Sequence, residues 1–230
     1  MSESSFKYCG VASMPSRRKA LKVAVYSMLP QVDKIYVYLN NYPDIPQFLS
    51  HEKIEVFRSQ DHIDLGDSGK FFKIDEISGY YFPIDDDILY HDNYVSSLIA
   101  KIEQYKRKCV VGLHGVTLTP RIINYYKSRS VTQCKRSCPK DKRVHILGSG
   151  ACGFHTSTIK VHLRDFEINN MADVWLGMIA QRQKIGMICI RRPKPLLTVQ
   201  TLDWSDSIFC SRKTSKFRTQ VVKSIQWKIY

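Results

Sequence analysis

The first half of the chain alternates between two apolar periods, and that alternation restricts the fold more than any other feature. KYCGVA (7–12) reads as a buried strand. Pro15 and Ser16 then open a helix in which Ala20, Leu21, Ala24, Val25, Met28 and Leu29 recur at helical spacing. KIYVYL (34–39) returns to period two, with Ile35, Val37 and Leu39 on one face, and KIEVFR (53–58) repeats the strand pattern. The loop SQDHIDLGDSGK and a short helical stretch carrying Phe71, Phe72 and Ile74 lead to YYFPI (80–84). Pro83 is awkward in that strand because it has no N–H to donate to a ladder. A helix from about Asp92 to Tyr105, with Val95, Leu98, Ile99 and Ile102 on one face, precedes the strand CVVGLH (109–114). Strands separated by helices in this way predict an α/β domain with a mostly parallel central sheet flanked by helices.

The second half is less regular. Thr117 to Arg143 is a basic, tyrosine-containing stretch, too polar for a core and long for a plain connection, and reads as a mobile substrate loop. VHILGSGACGFH (144–155) is strand, glycine turn and strand. A helix over 171–186 turns Trp175, Leu176, Ile179 and Ala180 inward, and MICI (187–190) closes the sheet. With 230 residues the chain holds one sizeable domain, assigned to 1–211, followed by a basic tail at 212–230. In the tail Phe217, Val221 and Ile225 fall at i, i+4 and i+8 among Lys213, Lys216, Arg218, Lys223 and Lys228. That pattern fits an amphipathic helix on an anionic membrane surface, and equally a terminal helix packed on the domain with a solvated basic face.

The N-terminus MSESSFKYCG has no secretory pattern and no stretch has the length of a membrane helix, so the expectation is a cytoplasmic protein, peripheral to the membrane at most. The seven cysteines are scattered and odd in number, which points to free thiols. A formal net charge of +14 calls for an anionic partner: nucleic acid, anionic lipid or a phosphorylated substrate.

Against that charge, three consecutive acids, Asp85, Asp86 and Asp87, stand at the end of the YYFPI strand. In open α/β sheets ligands bind outside the carboxyl ends of the strands, and these acids occupy one such end. In extended backbone Asp85 and Asp87 share a side while Asp86 points elsewhere. Two carboxylates with open positions suit a hard divalent cation, Mn²⁺ or Mg²⁺, completed by water and substrate phosphate. An exposed turn before a helix is the plain alternative for the same residues.

Five blocks in order, GVASMPSRRKAL, QVDKIYVYLNNYPDIP, LGDSGKFF with the DDD unit, HILGSGACGFHTSTIK and NNMADVWLGMIAQRQKIGMICIRRP, resemble GT-A glycosyltransferases of the family 2 type. The likeness is to the transferase domains of bacterial capsule polymerases of the hyaluronan and chondroitin class, and it covers roughly Tyr8 to Pro195. The resemblance implies a Rossmann-like GT-A domain and an inverting, metal-dependent transfer of sugar from a nucleotide-sugar, usually a UDP-sugar, to a glycan or lipid-linked acceptor. It places Asp85 against the ribose, Asp86 beside it, and Asp87 on the metal. Met14, Pro15, Ser16 and Arg17 match the segment lining the nucleotide. Asn40 and Asn41 stand where relatives often carry an acid near the base. Asp64 is assigned to the base and Lys70 to the diphosphate. Asp173 matches the position of the base that deprotonates the acceptor hydroxyl. His155 is a candidate third metal ligand or sugar contact, and Gly148, Ser149 and Gly150 allow close approach of a substrate to the backbone.

Two other readings compete. Cys134, Cys138, His145, Cys152 and His155 can be assembled into a zinc site only at spacings that match no common motif. A nucleic-acid-binding protein, or a metal-dependent nuclease using Asp85 and Asp87, also accounts for the charge, but no nucleic-acid motif is present and the basic residues are spread along the chain. No nucleic-acid partner is therefore expected.

Overall fold

The structure is a computed structural model that describes residues 5–200 and 214–230. In chain order its elements are β1 (Lys7–Ser13), α1 (Arg18–Met28), β2 (Lys34–Leu39), β3 (Ile54–Arg58), β4 (Tyr80–Asp85), β5 (Ile88–Tyr90), α2 (Tyr94–Gln104), β6 (Cys109–Gly112), β7 (Gly115–Leu118), β8 (Arg129–Thr132), β9 (Lys142–Val144), β10 (Ile146–Leu147), β11 (Cys152–His155), α3 (Ala172–Gln183), β12 (Gly186–Cys189), β13 (Leu197–Val199) and α4 (Ser215–Lys223). Short 3₁₀ turns occupy Pro15–Arg17, between β1 and α1, and Gly66–Phe71, between β3 and β4.

The central sheet runs β3-β2-β1-β4-β11-β6-β12-β9. Its β3-β2-β1-β4 part is parallel throughout, as is β6 with β12. β11 is antiparallel to both neighbours and β9 is antiparallel to β12, so the sheet is mixed where a mostly parallel one was expected. The reversal has a local cause: β11 enters from the tight turn at 148–151, and Ala151 N donates to Gly148 O at 3.1 Å. MICI is not the edge strand, because β9 lies beyond it. Pro83 is accommodated because the β4–β11 ladder is broken there, between the Tyr81–Phe154 pair and the Ile84–Ala151 bridge. Gly153 belongs to the same break, since a Cβ on it would stand 2.7 Å from the Phe82 ring.

Two cores lie on the two faces of the sheet. Leu21, Val25 and Met28 of α1 and Leu98 and Ile102 of α2 pack on Val11, Val37 and Ile84 on one face. Trp175, Leu176 and Ile179 of α3 pack with Ile146, Phe154 and Val222 on the other. Each of these side chains, fully buried, contributes about 1.5–3 kcal/mol of transfer free energy.

In the second half one expectation is corrected, and of the two readings of the tail the packed helix is the one observed. The 117–143 stretch is not a bare loop: β8 pairs with β7 in a small β10-β7-β8 sheet, and β9 joins the edge of the large one. The C-terminal helix is packed on the domain and belongs to it. α4 buries Val222 completely and Arg218 nearly so, with Val221, Ile225 and Trp227 against the second core and Phe217 outside. Beyond it, Gln181 of α3 exchanges two hydrogen bonds with the Lys228 backbone at 2.8 and 2.9 Å. The apolar residues assigned to a membrane surface are therefore largely spent on the protein itself, while Arg212 and Lys213 lie outside the described residues. No helix among the described residues is long and apolar enough to cross a membrane.

Candidate functional site at the carboxyl ends of β1 and β4

From β1 the chain moves outward through β2 to β3 on one side, then crosses back to β4 on the other, so the strand order reverses between β1 and β4. The crevice at such a switch point is where open α/β sheets take their ligands. β1 delivers Ser13 and the Met14–Arg17 turn to it, and β4 delivers the aspartates in register, Ala12 beside Asp85.

Asp85 is the last residue of β4, and Asp86 and Asp87 form the turn into β5. Tyr90, buried at the end of β5, pins this turn: it accepts from Asp85 N at 2.9 Å and donates to Gly150 O at 2.5 Å. Gly150 is needed beside it, because a Cβ there would lie 1.8 Å from an Asp85 carboxylate oxygen.

Two buried cations face the turn. Lys70, 3% exposed, forms an ion pair with Asp85. Its 3₁₀ turn lies directly over β1, where a Cβ on Gly10 would come within 2.0 Å of both Lys70 O and the Tyr81 hydroxyl, and that hydroxyl donates to Lys70 O. Burial opposes charge on Lys70, but Asp85 and Asp67 outweigh it and hold its pKa above the ordinary lysine range. Arg17 has Nη1 3.9 Å from an Asp87 oxygen, and that nitrogen is buried with no hydrogen-bond partner among the described residues. An unpaired buried guanidinium N–H is costly, and an anion's oxygen in the crevice would satisfy it.

The three carboxylates divide in an unexpected way. Asp85 and Asp87 do face the cations, but Asp86 turns toward the Ser13 hydroxyl, whose other neighbour is Tyr42. Burial, with the charges of Asp87 and Asp85, pushes Asp86 up to about 7, against a hydrogen bond from Ser13 and the charge of Arg17 that lower it. Burial and Asp85 also raise Asp87. The folded protein therefore binds a proton at Asp86 more tightly than the unfolded chain, and the resulting stabilisation is full at acid pH and lost as pH rises through about 7. Asp86→Asn mimics the protonated form. Its unfolding free energy should equal that of the parent near pH 4 and exceed it increasingly up to about pH 7, by no more than about 4 kcal/mol; a gap that is constant with pH refutes the assignment.

Asp173 stands in the first turn of α3 and is bound by Arg218 of α4, whose Nη1 donates to its two oxygens at 2.7 and 3.0 Å. Burial raises its pKa, but the Arg218 charge and hydrogen bonds prevail and hold it below the usual carboxylate range. Asp67 links this group to the first: it accepts from Ala172 N at the start of α3 at 3.0 Å and bears on both Lys70 and Asp173. His114, just past β6, feels Asp173 and Asp85 together, with burial lowering its pKa. Asp67 and His114 thus each feel both groups.

Other expected residues fall outside the crevice. The Asn40 side chain is spent on the loop after β3, donating to Gly66 O at 2.9 Å and accepting from Leu65 N at 3.2 Å. Asn41 donates to Asp64 at 2.8 Å, and Asp64 also accepts from Gly66 N at 2.9 Å, so this trio shapes the loop. Gly148 and Ser149 form the turn before β11, where Gly148 N donates to His114 O at 2.9 Å. His155 is a correction. β11 runs antiparallel to β4 and sets His155 beside Tyr80, five residues and so roughly 16 Å from Asp85 along the strand. There it meets the Tyr80 ring edge to face at 5.0 Å and approaches Arg107 at 3.3 Å. No three His, Cys, Asp or Glu side chains among the described residues are grouped to hold a metal, which also removes the zinc reading.

Sequence reasoning missed Tyr90, Asp67, His114, Tyr125 and Arg218. His114 alone had a readable signal, as a polar residue at a strand's carboxyl end. No protein-family model matches the chain, and no curated protein matches it.

Proposed function

We propose that the chain is an inverting, metal-dependent glycosyltransferase of the GT-A type that moves a sugar from a nucleotide-sugar, a UDP-sugar, to a hydroxyl of a bacterial surface glycan or lipid-linked acceptor at the cytoplasmic face of the membrane. The carrying observation is the pair of buried cations at the switch point, Arg17 with an unsatisfied N–H and Lys70 on Asp85, aimed at a turn of acids. The β3-β2-β1 run has the strand order of a mononucleotide-binding half, with β4 across the switch point, and a diphosphate is the ligand such a crevice suits.

The carboxylates fit a divalent cation. Asp85 raises the cost of ionising Asp87, and a divalent ion held there would offset that cost and take its further oxygens from water and substrate. Mn²⁺ or Mg²⁺ held by Asp87, with Asp85 beside it, supplies Lewis-acid neutralisation of the departing diphosphate. Arg17 and Lys70 attract and orient the phosphates and spread the charge that develops on them. The partly exposed Met14, Pro15 and Ser16 wall the nucleotide side. Asp173, kept ionised by Arg218, accepts the proton of the attacking acceptor hydroxyl.

Thermal unfolding over a panel of UDP-sugars, with and without Mn²⁺, tests this reading. One donor should raise the melting temperature by several degrees, more with the ion than without, and ligand at about 100 times its Kd gives about 2.7 kcal/mol. No stabilisation by any nucleotide-sugar, together with salt-sensitive binding of nucleic acid, would overturn it.

A further inference from the structure

The stretch from His114 to Lys140 contains no Asp or Glu but carries Arg121, Lys127, Arg129, Lys135, Arg136 and Lys140. The described C-terminal segment, 214–230, is equally free of acids and adds Lys216, Arg218, Lys223 and Lys228. The two meet at Tyr125, whose N–H donates to the Thr219 hydroxyl at 3.2 Å and whose ring has Arg218 5.6 Å from its centroid. The acid at this junction is Asp173. Both its oxygens are taken by Arg218, and the Tyr125 hydroxyl stands 3.5 Å from one of them.

Arg129 is a further cation at this junction. Its guanidinium lies 4.5 Å from the Tyr125 ring centroid and 4.7 Å from that of Tyr126, and the two rings meet edge to face at 76°. It is partly buried and has no carboxylate partner among the described residues. Stacked against two aromatic faces, the guanidinium keeps its orientation and offers in-plane N–H groups, the geometry that recognises a carboxylate or phosphate through two parallel bonds. Little side-chain freedom remains to be lost on binding.

We infer that Arg129, held by Tyr125 and Tyr126, is an anion-binding subsite one tyrosine length from Asp173, and that it takes a carboxylate or phosphate group of the acceptor. Naming the acceptor rests on the transferase reading; the anion site itself does not. An acceptor held there by its charge has a hydroxyl of the same or the adjoining sugar at Asp173. Arg121 and Lys127, both exposed, form the rim that attracts it.

Calorimetric titration of the full chain with inorganic phosphate and, separately, with glucuronate tests the site, and the tighter of the two tells whether the natural anion is a phosphate or a sugar carboxylate. Arg129→Gln should weaken the glucuronate affinity roughly tenfold, the loss of one charge-assisted contact, and should remove one of the phosphate sites, while Arg17→Gln, which removes a cation of the nucleotide crevice, leaves the glucuronate affinity in place. Should Arg129→Gln not fold, Arg129→Lys, which keeps the charge but not the fork, should weaken glucuronate about threefold. Titrations identical to the parent in the folded Arg129 variant overturn the subsite and leave the transferase reading standing. Failure of every UDP-sugar to bind, with the Arg129 effect intact, does the reverse.

Discussion

Arg218→Met should destabilise the protein by about 2–3 kcal/mol, seen as a fall of roughly 5–10 °C in melting temperature. The substitution removes the partner of a carboxylate whose side chain is 25% exposed, from a guanidinium that is 10% exposed. Leaving one member of such a pair behind is what costs, more than losing the attraction itself. Arg218 also donates to Asn170 O at 2.7 Å, which ties α4 to the entrance of α3. The deficit should depend on pH in a defined direction. Burial alone raises the Asp173 pKa, and Arg218 more than reverses this, so the pair's stabilisation is full above the ordinary carboxylate range and lost as pH falls through the folded pKa. The difference between parent and variant is therefore largest near pH 7 and shrinks below about pH 4, where a protonated Asp173 has no charge to be stranded. Adding Asp173→Asn to Arg218→Met should restore part of the loss, and a double-mutant cycle by urea unfolding measures the coupling. Additive single-variant effects would show that the two residues do not act as a pair.

The same residue shows where the sequence stops being readable. Periodicity in the tail selects Phe217, Val221 and Ile225 as the inner face; Val221 and Ile225 do pack on the second core, but α4 buries Arg218 and Val222 more deeply and leaves Phe217 outside, so the inner face is centred further round the helix. Hydrophobic period cannot foresee it, because what draws Arg218 inward is a carboxylate 45 residues earlier, in another helix. Tyr90 is hidden for the same reason, since its partners Asp85 and Gly150 are brought together only when β11 closes on β4. For His155 the error is the opposite one: nearness in sequence to the glycine turn suggests nearness in space, but an antiparallel strand carries each successive residue about 3.4 Å away. What sequence did disclose is what depends on local pattern: β1 to β4 with α1 between, the acids at a strand's carboxyl end, and Lys70 at the end of a glycine-containing loop. Once β1 pairs with β4, those elements bring Arg17, Lys70, Asp85 and Asp87 together.

Asp87→Ala should separate stability from activity. In the folded protein Asp87 resists ionisation, because burial and the neighbouring Asp85 both raise its pKa, against the opposing charges of Arg17 and Lys70. Such a group lowers stability at neutral pH to the extent that its proton is held more tightly in the folded than in the unfolded state, with the effect growing as pH rises through the folded pKa. Its removal is accordingly neutral or stabilising at pH 7.5, within about 1 kcal/mol by urea unfolding, even though Arg17 loses the carboxylate 3.9 Å away. Activity should go the other way. On the transferase reading Asp87 is the carboxylate that holds the divalent ion on the leaving diphosphate, and loss of one preorganised electrostatic contact at such a centre costs about 10²–10³ in rate. Release of UDP from the donor that stabilises the parent, followed with and without Mn²⁺, should fall by at least that factor and no longer respond to the ion. Asp86→Asn, altering the acid that faces Ser13, should keep most of the turnover. Full Mn²⁺-dependent release by Asp87→Ala would dismiss Asp87 as the metal ligand, and equal losses in Asp86→Asn would mean that the turn acts through its shape and not through the carboxylate that faces Arg17. An acid whose replacement leaves the fold intact or stabilises it while abolishing turnover would mark a residue kept for chemistry, and Asp87 is the acid whose oxygen lies 3.9 Å from the unsatisfied Arg17 guanidinium.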